Sequence, residues 1–372
     1  MNICVLGWYG TETLGDRAIL DGIIRIFDNI DRANSFSIAS LYPCVTERTI
    51  FEDLPLYQKH SDLIRIDTFD VRDRKILKEK IRAADIVIMG GGPLMDLAEM
   101  YIIDRAFTIA KKLKKATALI GCGYDSLCSN EYKKCISKIV SKCDIVIMRS
   151  KRCMENISTI CNESQRKKIY FSLDPAEISV IEYANAFDSV EVSDTWIMNV
   201  RDLDYVYGAK LLYERERELV SSVAKKVPKL TLMPMHTFSL GGDDRYIQNQ
   251  IAFDINMENV FVIQKPLSLE EAYITVSNAI GCVGMRYHSI VFHTFLNGNN
   301  YIIDYTDINK GKISSFLKDL EGRDFFKLRY VNISESNNLI LDDQNNHFEY
   351  NKSMAKDSLN TYRELILNLL GD

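Results

Sequence analysis

The run Gly284-Met285-Arg286-Tyr287-His288-Ser289 holds the densest chemistry in the sequence. It follows the apolar segment 279–283 and opens an apolar helix read over 289–297. A planar guanidinium at Arg286 matches a carboxylate or phosphate with two parallel N–H donors. An imidazole at His288 is a group that can move a proton. His293, inside the apolar helix, reads instead as a packed core histidine. Further charged residues close apolar runs in the same half of the chain. Arg201 follows Trp196-Ile197-Met198-Asn199-Val200, and His236 follows Leu232-Met233-Pro234-Met235. The loop Gly241-Gly242-Asp243-Asp244 comes next, and Asp304-Tyr305 end another run with Lys310 and Lys312 beyond. Arg201, Arg286, His236, His288, Lys310 and Lys312 should share one rim of strand ends, a predicted site for a small polyanion.

The first half offers glycine loops. Gly7-Trp8-Tyr9-Gly10 and Leu14-Gly15-Asp16 leave the first strand and enter the first helix. Such a turn can bring backbone N–H groups to an anion. A tight turn also wants glycine for itself, and Asp16 also suits a helix start. The spacing does not match G-x-G-x-x-G, so it gives little support to a dinucleotide fingerprint. Gly90-Gly91-Gly92-Pro93 ends a buried strand. Three glycines there predict a surface where backbone meets ligand, because a plain turn needs only one. Gly121-Cys122-Gly123 is a weaker instance. No G-x-S-x-G elbow, Walker lysine or H-E-x-x-H is present.

These residues need a frame. Strands are predicted at 2–6, 36–41, 85–89, 117–120, 144–148 and 169–173, with helices at 16–30, 72–84, 102–115 and 132–142 between them. Ile-Val-Ile-Met occurs twice after an aspartate, at 86–89 and 145–148. Runs apolar on both faces predict parallel strands covered by helices on both sides. The acidic, weakly patterned segment 179–194 is read as a linker. Strands then resume at 195–200, 230–233, 260–263, 279–283, 301–304 and 328–331, and an amphipathic helix over 353–370 closes the chain. The predicted fold is α/β, two Rossmann-like doubly wound domains facing a cleft. The N-terminal domain is 1–178, the linker 179–194, the C-terminal domain 195–352, and the closing helix 353–372.

Length and composition bound the class. At 372 residues, two domains are expected. Forty-six basic against 51 acidic residues leave a net charge of −5, which excludes bulk-electrostatic nucleic-acid binding. No apolar run is long enough for a transmembrane helix. The start, Met1-Asn2-Ile3-Cys4-Val5-Leu6-Gly7, lacks a basic n-region and a cleavage pattern, so no signal peptide and a cytoplasmic location are expected. Cys122, Cys128, Cys135, Cys143, Cys153 and Cys161 lack C-x-x-C spacing and read as buried reduced thiols, with no metal site.

Taken in order, these motifs resemble the polysaccharide pyruvyl transferase family of bacterial cell-surface biosynthesis, from about residue 3 to 320. The opening Gly7-Trp8-Tyr9-Gly10 with Leu14-Gly15-Asp16 resembles the family's start, and Gly90-Gly91-Gly92 with Asp96 its glycine triplet. Arg149-Ser150 stands at an arginine-led turn, Leu173-Asp174-Pro175-Ala176 at an "ADPA" stretch, and Pro234-Met235-His236 at a proline–histidine strand end. Gly284-Met285-Arg286-Tyr287-His288 resembles the most specific signature. The sequence departs from the family at Arg17, where an acidic residue is usual, at Arg149, which lacks the expected aspartate, and at Pro93.

The resemblance implies a two-Rossmann, glycosyltransferase-B-like architecture. It implies transfer of a pyruvyl group from phosphoenolpyruvate onto two hydroxyls of a sugar, giving a cyclic ketal. Phosphoenolpyruvate would be a co-substrate, with no cofactor. By position, His288 and His236 are the catalytic candidates, and Arg201, Arg286, Gly284, Lys310 and Lys312 the donor-binding ones. Asp16, Gly91, Gly92, Asp96 and Arg149 would bind the acceptor or line the cleft. The partners would be phosphoenolpyruvate and a saccharide, free or lipid-linked, with no nucleic acid and at most peripheral contact with the inner face of a membrane. Two alternatives stay open on fold grounds, a nucleotide-sugar glycosyltransferase and a non-catalytic sensor or assembly protein.

Overall fold

Short apolar runs that end in glycine or a charged residue become parallel strands in the computed structural model. It describes residues 1–30, 34–60, 63–124, 129–186, 193–203, 209–240, 242–305, 311–320, 322–339, 341 and 346–371. The chain divides into two compact units. One contains 1–12, 16–179 and 353–372, and the other 13–15 and 180–352.

The first unit is built on β1 (Asn2–Leu6), β2 (Ser35–Ser40), β3 (Arg65–Asp70), β4 (Ile86–Gly90), β5 (Pro93–Leu94), β6 (Ala116–Tyr124), β7 (Ile145–Met148) and β8 (Ile169–Phe171). The sheet runs β3-β2-β1-β4-β6-β7-β8, with β5 paired to β6. All its pairings are parallel, β1 meeting β4 through Ile3–Ile86 to Leu6–Met89. Cys4, Val5 and Leu6, and Ile86 to Met89, are wholly buried, because helices cover both faces. The second unit holds β9 (Thr195–Met198), β10 (Lys229–Leu232), β11 (Val260–Val262), β12 (Gly281–Gly284), β13 (Asn300–Asp304) and β14 (Tyr330–Asn332), in the order β11-β10-β9-β12-β13-β14. Strand order reverses at β1/β4 in one sheet and at β9/β12 in the other. Parallel sheets take ligands beyond the strand ends at such points.

Three features differ from the sequence reading. Helix Pro43–Gln58 and strand β3 occupy a stretch where no element is foreseen. The helix buries Thr46 and Asp53 alongside Leu56 and Tyr57 and contains Pro55, so it lacks an apolar stripe. Its Asp53 accepts from Arg17 Nε at 2.6 Å and from Arg17 Nη2 at 2.5 Å, a bidentate pair buried at both ends. Second, the segment read as a linker is helical as far as Ala186, in helix Pro175–Ala186, and the boundary between units falls inside that helix. Residues 174–181 are buried on every side, which erases the helical period from the sequence. Third, the closing helix, Met354–Leu370, belongs to the first unit. Its Tyr362 hydroxyl donates to the Leu173 carbonyl at 2.8 Å, and the Leu173 N–H donates to Ser358 Oγ at 3.1 Å.

The glycine triplet is explained by packing. A Cβ on Gly90 would stand 2.2 Å from Ile23 Cδ1, on Gly91 2.1 Å from Ile19 Cγ2, and on Gly92 2.3 Å from Trp8 Cδ1. Gly91 and Gly92 also have φ of +67° and +72°. The close approach is therefore to helix Leu14–Asp28 and to Trp8, and three glycines answer three separate side chains. Gly91→Ala should cost about 2–4 kcal/mol, from overpacking plus a left-handed backbone. In urea unfolding, the double variant with Ile19→Ala should lose less than the sum of the single variants.

Candidate active site

The polar residues of the second unit gather beyond the carboxyl ends of β9, β10, β12 and β13. Asn199 leaves β9 buried, at 1% exposure. Its amide donates to the Met233 carbonyl at 3.0 Å, and its Oδ1 accepts from the Arg286 backbone N–H at 3.1 Å. One asparagine thus ties together the segments that follow β9, β10 and β12. Asp244 begins helix Asp244–Ile255 and is buried. Its carboxylate accepts from the backbone N–H of Met235 at 3.0 Å and of His236 at 3.1 Å. It also accepts from Arg286 Nε at 2.8 Å, in a pair that Nη2 completes. Arg286 is therefore pinned at the rim, with its side chain 14% exposed.

Tyr305 follows β13 and lies at the centre of the remaining cations, 5% exposed. Arg201 Nη1 is 3.4 Å from its hydroxyl, and the guanidinium carbon lies 5.6 Å from its ring centroid. Lys312 Nζ lies 5.9 Å from the same centroid, at the first position of helix Lys312–Asp319. Burial pushes the phenol up. Lys312, Arg201 and Arg286 outweigh it and bring the group below its ordinary value. Arg201 and Lys312 thus meet one phenol, whose charge Arg286 also influences, an arrangement suited to a small anion. Lys310 lies outside the described residues.

His236 is buried, and its Nδ1 is 2.9 Å from the Gly242 carbonyl. A carbonyl only accepts, so Nδ1 carries the proton and the neutral ring keeps its lone pair on Nε2. His288 is half-buried, and its ring meets Tyr287 edge-on with centroids 5.0 Å apart. The segment 13–15, which belongs to this unit, packs beside it. Leu14 N–H donates to the Met235 carbonyl at 2.9 Å, and a Cβ on Gly15 would stand 2.0 Å from His288 Nδ1. Gly15 is therefore needed where the imidazole sits. Gly284 ends β12 against His293 and Ile290, a packing position.

The other predicted residues lie in the first unit and have partners of their own. Arg149 is 6% exposed and donates to Asp174 at 3.1 Å, while Asp174 Oδ1 accepts from the Ala176 N–H at 3.0 Å. The Arg149 guanidinium is thus balanced by a carboxylate, as that of Arg286 is by Asp244. Gly91 and Gly92 are filled by Ile19 and Trp8. Half-buried Asp96 accepts from the Ser129 N–H at 3.4 Å. Asp16 stays half-exposed near Tyr9 and Glu12. Burial raises the Glu12 carboxyl, although the Thr46 hydroxyl donates to it.

Sequence reasoning did not select Asn199, Asp244 or Tyr305 as site residues. The signals were present as an asparagine closing an apolar strand, an acid after the predicted histidine, and a tyrosine at a strand end. The five described cysteines of the 122–161 stretch are buried and unbridged, and Cys128 lies outside the described residues. Among the described residues, no group of three or more His, Cys, Asp or Glu could hold a metal ion, and no helix is long and apolar enough to cross a membrane.

His293 is the packed core histidine foreseen from its helix, at 1% exposure. Burial drives its pKa down to about 3, against a contact with Asn300 that raises it. The folded ring stays neutral while the unfolded one takes a proton below about pH 6.5. The unfolded state then binds more protons, so stability falls as pH drops from about 6.5 toward 3, by up to about 1.4 kcal/mol per pH unit. His293→Gln should flatten that part of the acid limb in urea unfolding followed against pH.

Comparison with known proteins fits this architecture. Among solved structures, a putative UDP-N-acetylglucosamine 2-epimerase from Listeria monocytogenes is similar, with TM-score 0.58 and 13% identity over 99% of this chain and 96% of that one. The UDP-GlcNAc 2-epimerase of Methanocaldococcus jannaschii gives TM-score 0.59 and 12% identity over 97% and 99%. Anabaena HepE in complex with UDP and glucose gives TM-score 0.51 and 11% identity over 100% and 99%. At these identities the likeness is one of fold, the glycosyltransferase-B-like pair of parallel α/β sheets. No curated protein matches the sequence. The family signature is found over residues 14–307, a span that contains Arg201, His236, Arg286 and His288, and the chain belongs to the polysaccharide pyruvyl transferase family.

Proposed function

We propose that the protein transfers the pyruvyl group of phosphoenolpyruvate to two hydroxyls of a saccharide, closing a cyclic ketal and releasing phosphate. The convergence of Arg201 and Lys312 on Tyr305, within the electrostatic reach of Arg286, supports this reading. Phosphoenolpyruvate bears a carboxylate and a phosphate on one central carbon. Three cations near one phenol can answer both groups. Arg286, fixed by Asp244, would orient one group, and Arg201 and Lys312 would neutralise the other.

The chemistry then needs two proton movements. As the first sugar hydroxyl attacks the central carbon, a proton must reach the methylene carbon. His288, packed against Gly15 and Tyr287, is the candidate donor of that proton. The second hydroxyl closes the ketal as phosphate leaves. Of the two hydroxyl protons, one is balanced by the new methyl group and the other by the phosphate. His236, with its lone pair on Nε2, is the candidate to accept a hydroxyl proton. The acceptor saccharide can be free or lipid-linked. Such a donor suits a cytoplasmic reaction.

Thermal melting with phosphoenolpyruvate tests the donor. At ten times Kd, binding adds about 1.4 kcal/mol, an expected rise of a few degrees. Arg201→Ala should lose that rise. His288→Gln should keep it and lose turnover. Since the similar HepE structure holds UDP, a UDP-sugar is the competing ligand to run beside it. Stabilisation by the UDP-sugar, with none by phosphoenolpyruvate, would replace this reading with a glycosyltransferase.

A further inference from the structure

We propose that Tyr305 is a positioning residue of the anion site, whose ring and hydroxyl hold Arg201 and Lys312 to one point and set the charge an arriving anion meets. The inference rests on the pyruvyl-transfer reading for the identity of that anion.

Topology gives Tyr305 its reach. Arg201 follows β9 and Tyr305 follows β13, and between those strands lies β12, whose end carries Arg286. The Arg201–Tyr305 contact therefore spans the strand that bears the signature arginine. Lys312 closes on the same ring from helix Lys312–Asp319 and donates to the hydroxyl. Like charges held this near one another repel. A neutral group with an electron-rich face and an acceptor oxygen can satisfy both cations without consuming their charge. A carboxylate there would neutralise one of them and compete with the ligand. Phenylalanine would keep the face and lose the oxygen, and leucine would lose both.

The phenol also makes the site sensitive to pH. The charged groups that act on it are Lys312 from its helix, Arg201 from the end of β9 and Arg286 from the end of β12. All three favour its ionised form. Once the proton leaves, the phenolate offsets one unit of the positive charge. Anion affinity should then fall as pH rises toward the phenol's lowered value.

The test measures binding of phosphoenolpyruvate and of inorganic phosphate by calorimetry between pH 7 and 10. It uses the full chain, Tyr305→Phe and Tyr305→Leu, with KM and kcat followed in parallel. At pH 7, Tyr305→Phe should bind either anion about threefold to tenfold more weakly. That loss should fall on KM more than on kcat, and the alkaline decline of the wild type should be absent. Tyr305→Leu should bind more weakly still. Wild-type affinity and an unchanged alkaline decline in Tyr305→Phe would overturn the role of Tyr305 and leave the pyruvyl-transfer reading intact. A wild type that binds phosphate but not phosphoenolpyruvate would overturn the donor, and the role of Tyr305 would then be decided on the phosphate data. Binding of neither anion would overturn both.

Discussion

The buried carboxylate of Asp244 is the interaction on which the second unit's rim depends. It accepts from two consecutive backbone N–H groups after β10 and from the guanidinium at the end of β12, so one side chain fixes the spacing of two strand ends. A carboxylate taken out of water needs such a full set of donors, and removing its partner would leave a buried charge unanswered, at a typical cost of about 3–5 kcal/mol. The arrangement also divides labour among the cations. Arg286 has already lost its rotamer freedom to Asp244, so it can orient a ligand with little further entropy loss, though part of its charge is spent. Further positive charge comes from Arg201 and Lys312, which meet the neutral phenol of Tyr305. Rigidity and charge are supplied by different residues, and Tyr305 joins the two.

Much of this frame is legible in the sequence because the strands are buried on both faces. A run such as Ile86-Val87-Ile88-Met89 can be little else, and the residues after it must form a loop at a strand's carboxyl end. That rule alone places Arg201, His236, Arg286 and His288 in one region. It fails where burial is polar or uneven. Strand β3 at the sheet edge alternates charged and apolar residues with only Phe69 fully buried, and helix Pro43–Gln58 turns Asp53 and Thr46 inward. Neither leaves an apolar period. Helix Pro175–Ala186 fails for the opposite reason, since it is buried nearly all round and shows no polar face. Within the site, residue type predicted position but not pairing. A lone arginine in sequence does not reveal whether it meets a ligand or an aspartate 42 residues away.

The three departures from the family pattern turn on the same matter of pairing. Arg17, where an acid is usual, is met by Asp53 on a helix that buries this acid at its inner face. Arg149 is met by Asp174, which also caps the next helix. Pro93 starts β5, which pairs alongside β6 with Leu94 buried. Each unusual residue is thus answered by a partner within the first unit and brings no unbalanced charge. Arg17 and Arg149 have their charge balanced by an acid beside them, and so does Arg286, whose partner is Asp244. Arg201 and Lys312 differ in meeting a neutral group, the phenol of Tyr305. The departures therefore alter how the first unit is braced. The signature Gly284-Met285-Arg286-Tyr287-His288 lies in the second unit and carries none of the three departures.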